Sequence, residues 1–243
     1  MTKAAVIWRA GARRRFREAA AEAVDGGWRI LLDGRALSTP RGRTLLLPTA
    51  ALAEAVAAEW DALGERLDPR MLALTGLANA AADLVAGREE EVRAETRGWV
   101  DGDLLCYRAP FPESLRRLQA EHWDPPLAAL ANTLGAAFTV AEGVLPQTQP
   151  RALHEAVAAV LARQDAWHLA GLRALAGAAH SLALALAHLL CGWPIEKVVA
   201  AALLDETFQA GRWGVDAEAE ARREALARDM RTAARFLALI DAA

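Results

Sequence analysis

Asp101 and Asp103, on either side of Gly102, have the form of a metal-binding pair, and Cys106 follows as a candidate nucleophile. His188 and Cys191, three residues apart on one helical turn, could supply two ligands to zinc. None of these sets is complete. Two carboxylates rarely make a Ca²⁺ or Mg²⁺ cage, and Gly between two Asp reads as a turn. A zinc site needs a second ligand pair, and the five His show no H-x-x-x-H spacing. Cys106 has no paired His in the sequence, so a core thiol is the simpler reading. The chain also lacks G-x-x-x-x-G-K-[ST], G-x-G-x-x-G and G-x-S-x-G. No catalytic residue, cofactor or metal site is expected. The residue that stands out chemically is Glu206. In a helix over 195–210, residues Ile195, Val198, Val199, Ala202, Glu206 and Gln209 share one stripe, which places a carboxylate on an otherwise apolar face. Left unpaired there it would cost several kcal/mol, so it has an internal partner such as Arg173 or Arg212, or it awaits an external one.

The elements that position these groups fall into two kinds. Trp28 to Leu32 reads as a strand, Asp33-Gly34 as a hairpin turn and Pro40-Arg41-Gly42 as a second turn, with Thr44 to Leu47 returning. Val6-Ile7-Trp8 and Phe16 to Val24 add further strands, although the Ala-rich part of the latter also fits a helix. Arg29, Arg35 and Arg43 are expected to face solvent. After Pro48, Thr49 caps a helix from Ala50 to Leu63 carrying Leu52, Val56, Glu59 and Trp60. Helices then follow one another: one through Asn79 and Asp83, one over 88–100, one restarted by Pro125-Pro126 and one opened by Pro150. An apolar helix covers 178–191, Gly192-Trp193-Pro194 makes a corner, and a last helix carries Leu226, Met230, Leu237 and Ile240. The expected fold class is α+β, with a small β-rich N-terminal domain over 1–48 and a larger all-helical bundle over 49–243.

Composition narrows the function classes. The 243 residues are 54% hydrophobic and 24% charged, which excludes a disordered chain. Residues 1–47 hold ten Lys or Arg against four Asp or Glu, a balance of +6 that leaves −9 for the rest of a chain with net charge −3. That asymmetry suggests two functional surfaces, but the basic residues are not interleaved with aromatics, so nucleic acid is not expected as a partner. The run from Leu169 to Cys191 is long enough to span a membrane, yet Arg173, His180, Ser181 and His188 interrupt it. Cys106 and Cys191, without disulfide or CxxC spacing, read as buried free thiols in a reducing compartment. The N-terminus carries no signal peptide pattern.

Several blocks in order carry a family resemblance: Leu32-Asp-Gly-Arg-Ala-Leu37 with Thr39-Pro40, Ala58-Glu-Trp-Asp61, Asn79 with Asp83, Asp103-Leu-Leu-Cys-Tyr-Arg108, Trp123-Asp-Pro125, Ser181-Leu182, and Leu204-Asp-Glu206 with Gln209 and Trp213-Gly214. Over about residues 14–215 the chain resembles the assembly chaperone of the F-type ATP synthase α subunit, the ATP synthase F(1) complex assembly factor 2 family. Arg15-Phe16-Arg17-Glu18 departs from that family's second aromatic. The resemblance implies a non-catalytic chaperone that binds the free α subunit, shields its interface and yields it to the β subunit. It implies no cofactor; a monomer is expected, and an N-terminus without a Ser/Arg-rich transit pattern favours a bacterial cytoplasm. It places the functional acidic position at Glu206, with Asp205, Gln209 and Trp213 as neighbouring contacts. A helical adaptor for another protein is the alternative.

Overall fold

The computed structural model describes residues 11–143, 145–214 and 216–242, so the expected strand at Val6-Ile7-Trp8 lies outside them. The chain forms two compact units. The first contains the described residues up to Glu89 together with Asp165–Gly171 and the end of the chain from Arg235; the second contains Glu90–Gln164 and Leu172–Ala234. The N-terminal unit therefore extends past residue 48, because the helices that bury one face of its sheet belong with it.

In the first unit β1 (Ala19–Val24) pairs antiparallel with β2 (Gly27–Leu32). The Ala-rich segment that fitted either strand or helix is thus a strand. Asp33 and Gly34, at φ 47° and 76°, turn the chain into β3 (Arg35–Ala36), the positive φ pair that a two-residue hairpin demands. β4 (Leu46–Leu47) pairs with the start of β2, through Trp28↔Leu47 and Arg29↔Leu46. Alternation along β2 buries Ile30 and Leu32, and α1 (Ala50–Asp61) packs on β1 and β2 with Leu52, Val56 and Trp60 fully buried. Each such side chain contributes about 1.5–3 kcal/mol, which fixes the register of sheet and helix together. Thr49 caps α1: its hydroxyl accepts from the Leu52 amide at 3.2 Å and donates to the Leu239 carbonyl at 2.7 Å.

Two further carboxylates hold this unit. Glu59 of α1 accepts from the amides of Leu74 and Thr75, at 2.6 and 2.8 Å, and so caps α2 (Ala73–Ala80), whose own first residue provides no cap. Asp83 lies in a π turn over Ala81–Val85 and accepts from Thr39 Oγ1, the Arg41 amide and the Arg43 guanidinium, which fixes the loop after β3. Arg43 is therefore only half in solvent, with its head group drawn to a buried carboxylate. Late segments complete the unit. Gly171 leaves room for Leu237 and Phe236, 2.8–3.1 Å from where a Cβ would stand, and His168 bridges Asp165 and Asp241 at 2.8 and 2.9 Å.

The second unit is helical: α3 (Glu89–Gly98), α4 (Glu113–Leu134), α5 (Arg151–Ala162), α6 (Ala166–Ala179), α7 (Leu182–Cys191), α8 (Ile195–Ala202), α9 (Leu204–Trp213) and α10 (Ala217–Asp241), with α3, α6 and α10 contributing their larger parts to it. A two-residue parallel ladder joins β5 (Tyr107–Arg108) to β6 (Ala141–Glu142).

Three helix boundaries differ from the sequence expectation. Pro125-Pro126 does not restart a helix: α4 runs through both. Asp124, just before the two prolines, pairs with Arg108 at 2.8 Å, and the burial of Trp123, Leu127 and Leu130 offsets the two missing amides. The apolar segment before Gly192 is not continuous, because α6 ends at Ala179, His180 takes φ 50° and Ser181 caps α7. The helix expected over 195–210 breaks at Leu203 (φ −100°, ψ 12°) into α8 and α9. Among the described residues no helix is long and apolar enough to cross a membrane.

Candidate partner-binding site

The break at Leu203 removes Glu206 from the stripe of Ile195, Val198 and Val199 and gives α9 its own orientation. Its first acid, Asp205, faces inward. Asp205 Oδ1 accepts from Gln119 Nε2 at 2.8 Å, and the fully buried Gln119 also accepts from the Ala109 amide at 2.9 Å. Burial raises the Asp205 pKa against the opposing pull of the Gln119 bond and the charge of Arg108. Arg108 in turn lies 5.2 Å over the Trp123 ring, whose Nε1–H donates to the Ala201 carbonyl at 2.9 Å. Gln119 and Asp205 thus fix the start of α9 to α4, and Trp123 ties the end of α8 to the same helix.

Glu206, Gln209 and Trp213 follow at i, i+3 and i+7, one face of α9. Gln209 is exposed and Trp213 is 84% exposed. Glu206 is half-buried. Its Oε1 accepts from Arg222 Nη2 of α10 at 3.3 Å, while its Oε2 is screened from solvent and has no partner. The internal partner is therefore neither Arg173, which pairs with Glu95, nor Arg212, which lies over the Phe208 ring. A large indole in water beside a half-satisfied carboxylate can meet an apolar surface that carries a cation. Of the four residues expected to meet a partner, three share this face, and Asp205 is held internally.

The residues that resembled a catalytic or metal set are dispersed. Asp101 Oδ1 accepts from the Gln149 amide and lies 3.1 Å from His154 Nε2. Asp103, wholly buried, accepts from the Leu105 amide, Ser181 Oγ and the Ala183 amide at 2.7–3.0 Å, and burial pushes its pKa up to about 6. Burial also pushes the Cys106 thiol up to about 12, which leaves little nucleophilic thiolate. Cys191 is half-buried rather than buried, with its Sγ 3.4 Å from Thr133 Oγ1. Among the described residues no three His, Cys, Asp or Glu side chains come together as a metal site. Sequence reasoning missed the roles of Asp103 and Asp83. For Asp83 the available signal was a single charge inside an apolar stretch, and for Asp103 a charge directly before the apolar Leu104-Leu105-Cys106.

Residues 13–131 match the family model described as ATP12 chaperone protein. The fold agrees with the crystal structure of Atp12 from Paracoccus denitrificans at a TM-score of 0.87 and 39% identity, covering 94% of this chain and 98% of that one. The chain belongs to the ATP12 chaperone family. A point mutant of the Paracoccus Atp12 gives the same agreement. The mitochondrial atp12 protein of Schizosaccharomyces pombe is 27% identical over 214 residues, which span 83% of this chain and 74% of the yeast protein. ATP12 proteins are chaperones rather than enzymes, which accords with carboxylates that serve as caps and ties.

Proposed function

We propose that this ATP12 chaperone binds the free α subunit of the F1-ATPase, covers the surface that later meets the β subunit, and releases it as the β subunit docks. Family membership carries the reading, and the face of α9 supplies a mechanism. An unassembled subunit exposes apolar surface that aggregates. Trp213 offers a rigid apolar anchor to such a surface. Glu206, with 36% of its side chain exposed and held by an Arg222 that is itself largely in solvent, receives a client Arg or Lys and orients docking. Gln209 adds an adaptable polar contact, and Asp205 keeps α9 in place. Desolvating the Glu206 carboxylate costs free energy, so the grip stays moderate and the β subunit can displace the chaperone. The chain works as a monomer in the bacterial cytoplasm, without nucleotide.

Light scattering of diluted α subunit tests the reading: an equimolar amount of this chain suppresses aggregation with no ATP present, and unchanged scattering refutes it. Glu206→Lys separates site from fold. Arg222 is 67% exposed, so the new like-charge contact is largely screened and costs at most about 1 kcal/mol. The variant is expected to keep the wild-type unfolding midpoint and lose the client. Normal client binding by a folded variant removes Glu206 from the site.

A further inference from the structure

A cavity of about 380 Å³ lies between α9 and α10, beside the face just described. Leu203 and the buried Ala227 give it an apolar lining, and Thr207 stands at its edge with its hydroxyl donating to the Leu203 carbonyl at 2.7 Å. Its charged residues lie along α10. Glu224 and Arg228 form a loose pair with each other at 3.7 Å, and Arg231, at the cavity's edge, is paired with Glu196 at 2.6 Å. Glu220 and Arg223 differ: among the described residues neither has an ion-pair partner, although only three positions separate them on one helical turn. Arg223 is half-buried, and a partly desolvated guanidinium without a counter-charge is an unfavourable arrangement in an isolated chain. Thr207 on α9 and Glu220 and Arg223 on α10 thus line one groove that carries unused charge of both signs.

We infer that this groove receives a segment of the client protein in which a basic and an acidic residue lie about one helical turn apart, with an apolar side chain between them. The inference rests on the chaperone reading above. The basic group meets Glu220, the apolar side chain enters the cavity over Leu203 and Ala227, and the acidic group pairs with Arg223. The spacing follows from α10 itself: three residues of helix rise about 4.5 Å. Both signs are needed, which discriminates this segment from a merely apolar one and from a polybasic or polyacidic one.

The test is titration of purified F1 α subunit into the full chain and into Arg223→Glu and Thr207→Trp, with thermal unfolding of each preparation. The first variant reverses the unpaired charge; the second fills the cavity from an exposed position. Both are expected to keep the wild-type midpoint and to weaken binding at least roughly tenfold, the Arg223→Glu loss being larger at low salt. A photo-reactive side chain at position 207 is expected to cross-link to the client and identify the segment. Wild-type affinity in both variants, or an active complex with no cross-link from position 207, overturns the groove and leaves the chaperone reading intact. Failure of the wild-type chain to bind α subunit refutes that reading, and the groove's client with it.

Discussion

A carboxylate with no exposed surface must be met by donors, and Asp103 has three of them from two directions, at Leu105 and at the start of α7. Asp103→Ala strands two amides and the Ser181 hydroxyl. The expected loss is roughly 2–4 kcal/mol, read as a lower midpoint in chemical denaturation, and a loss under about 1 kcal/mol would mean that water replaces the carboxylate. Asp83, Glu59 and Asp103 also explain what single residues disclosed in advance. Each adjoins apolar residues on at least one side, and Asp83 is the lone acid of its stretch, so the sequence signalled that it had a job. It did not signal the partner, because the partners are backbone amides and hydroxyls 15–80 positions away. Glu206 was legible for the same reason, and its ion pair with Arg222 was not, since that depends on how α10 passes α9.

At the scale of elements, the caps that lie next to their helices were readable. Thr49 before α1, Gly192 and Pro194 around the α7–α8 corner, and Asp33-Gly34 in the hairpin are local signals whose donors lie within a few residues. Breaks enforced from a distance were not readable. The division of α6 from α7 needs Asp103, and the passage of α4 through Pro125-Pro126 needs the packing of Trp123 and Leu130. One contact between elements is sensitive to pH. His168 on α6 has a carboxylate on each ring nitrogen, Asp165 on its own helix's approach and Asp241 at the end of α10. Burial works to lower its pKa, but the bonds to Asp241 and Asp165 outweigh it and hold the imidazolium above its ordinary value of 6.5. A raised pKa means that this contribution is complete below about pH 6.5 and is lost as pH rises through the folded-state value. The stability difference between wild type and His168→Ala should therefore shrink between pH 6 and pH 9. A constant difference would show that the ring acts by packing alone.

For the whole molecule, the order of the chain and the membership of its units do not coincide. A β-rich start followed by helices was visible from hydrophobic periodicity, but the return of residues 165–171 and 235–242 to the first unit was not, because a long amphipathic helix looks alike wherever its face is buried. Phe236, Leu237 and Ile240 are buried there, and together they contribute about 5–9 kcal/mol, comparable to the entire stability of a small domain. A chain ending before Arg235 is thus expected to lose amide-exchange protection at Ile30 and Leu32, far away in sequence. Retained protection would show that the sheet and α1 suffice by themselves.

The same membership has a consequence for biosynthesis. The ribosome delivers the sheet, α1 and α2 well before the residues from Arg235 that close their core. At roughly 5–20 residues per second the interval between Glu89 and Asp241 is of the order of ten to thirty seconds. Throughout it the nascent chain presents an open apolar surface of its own, so a member of a chaperone family is itself a candidate for protection until residues 235–242 have been made.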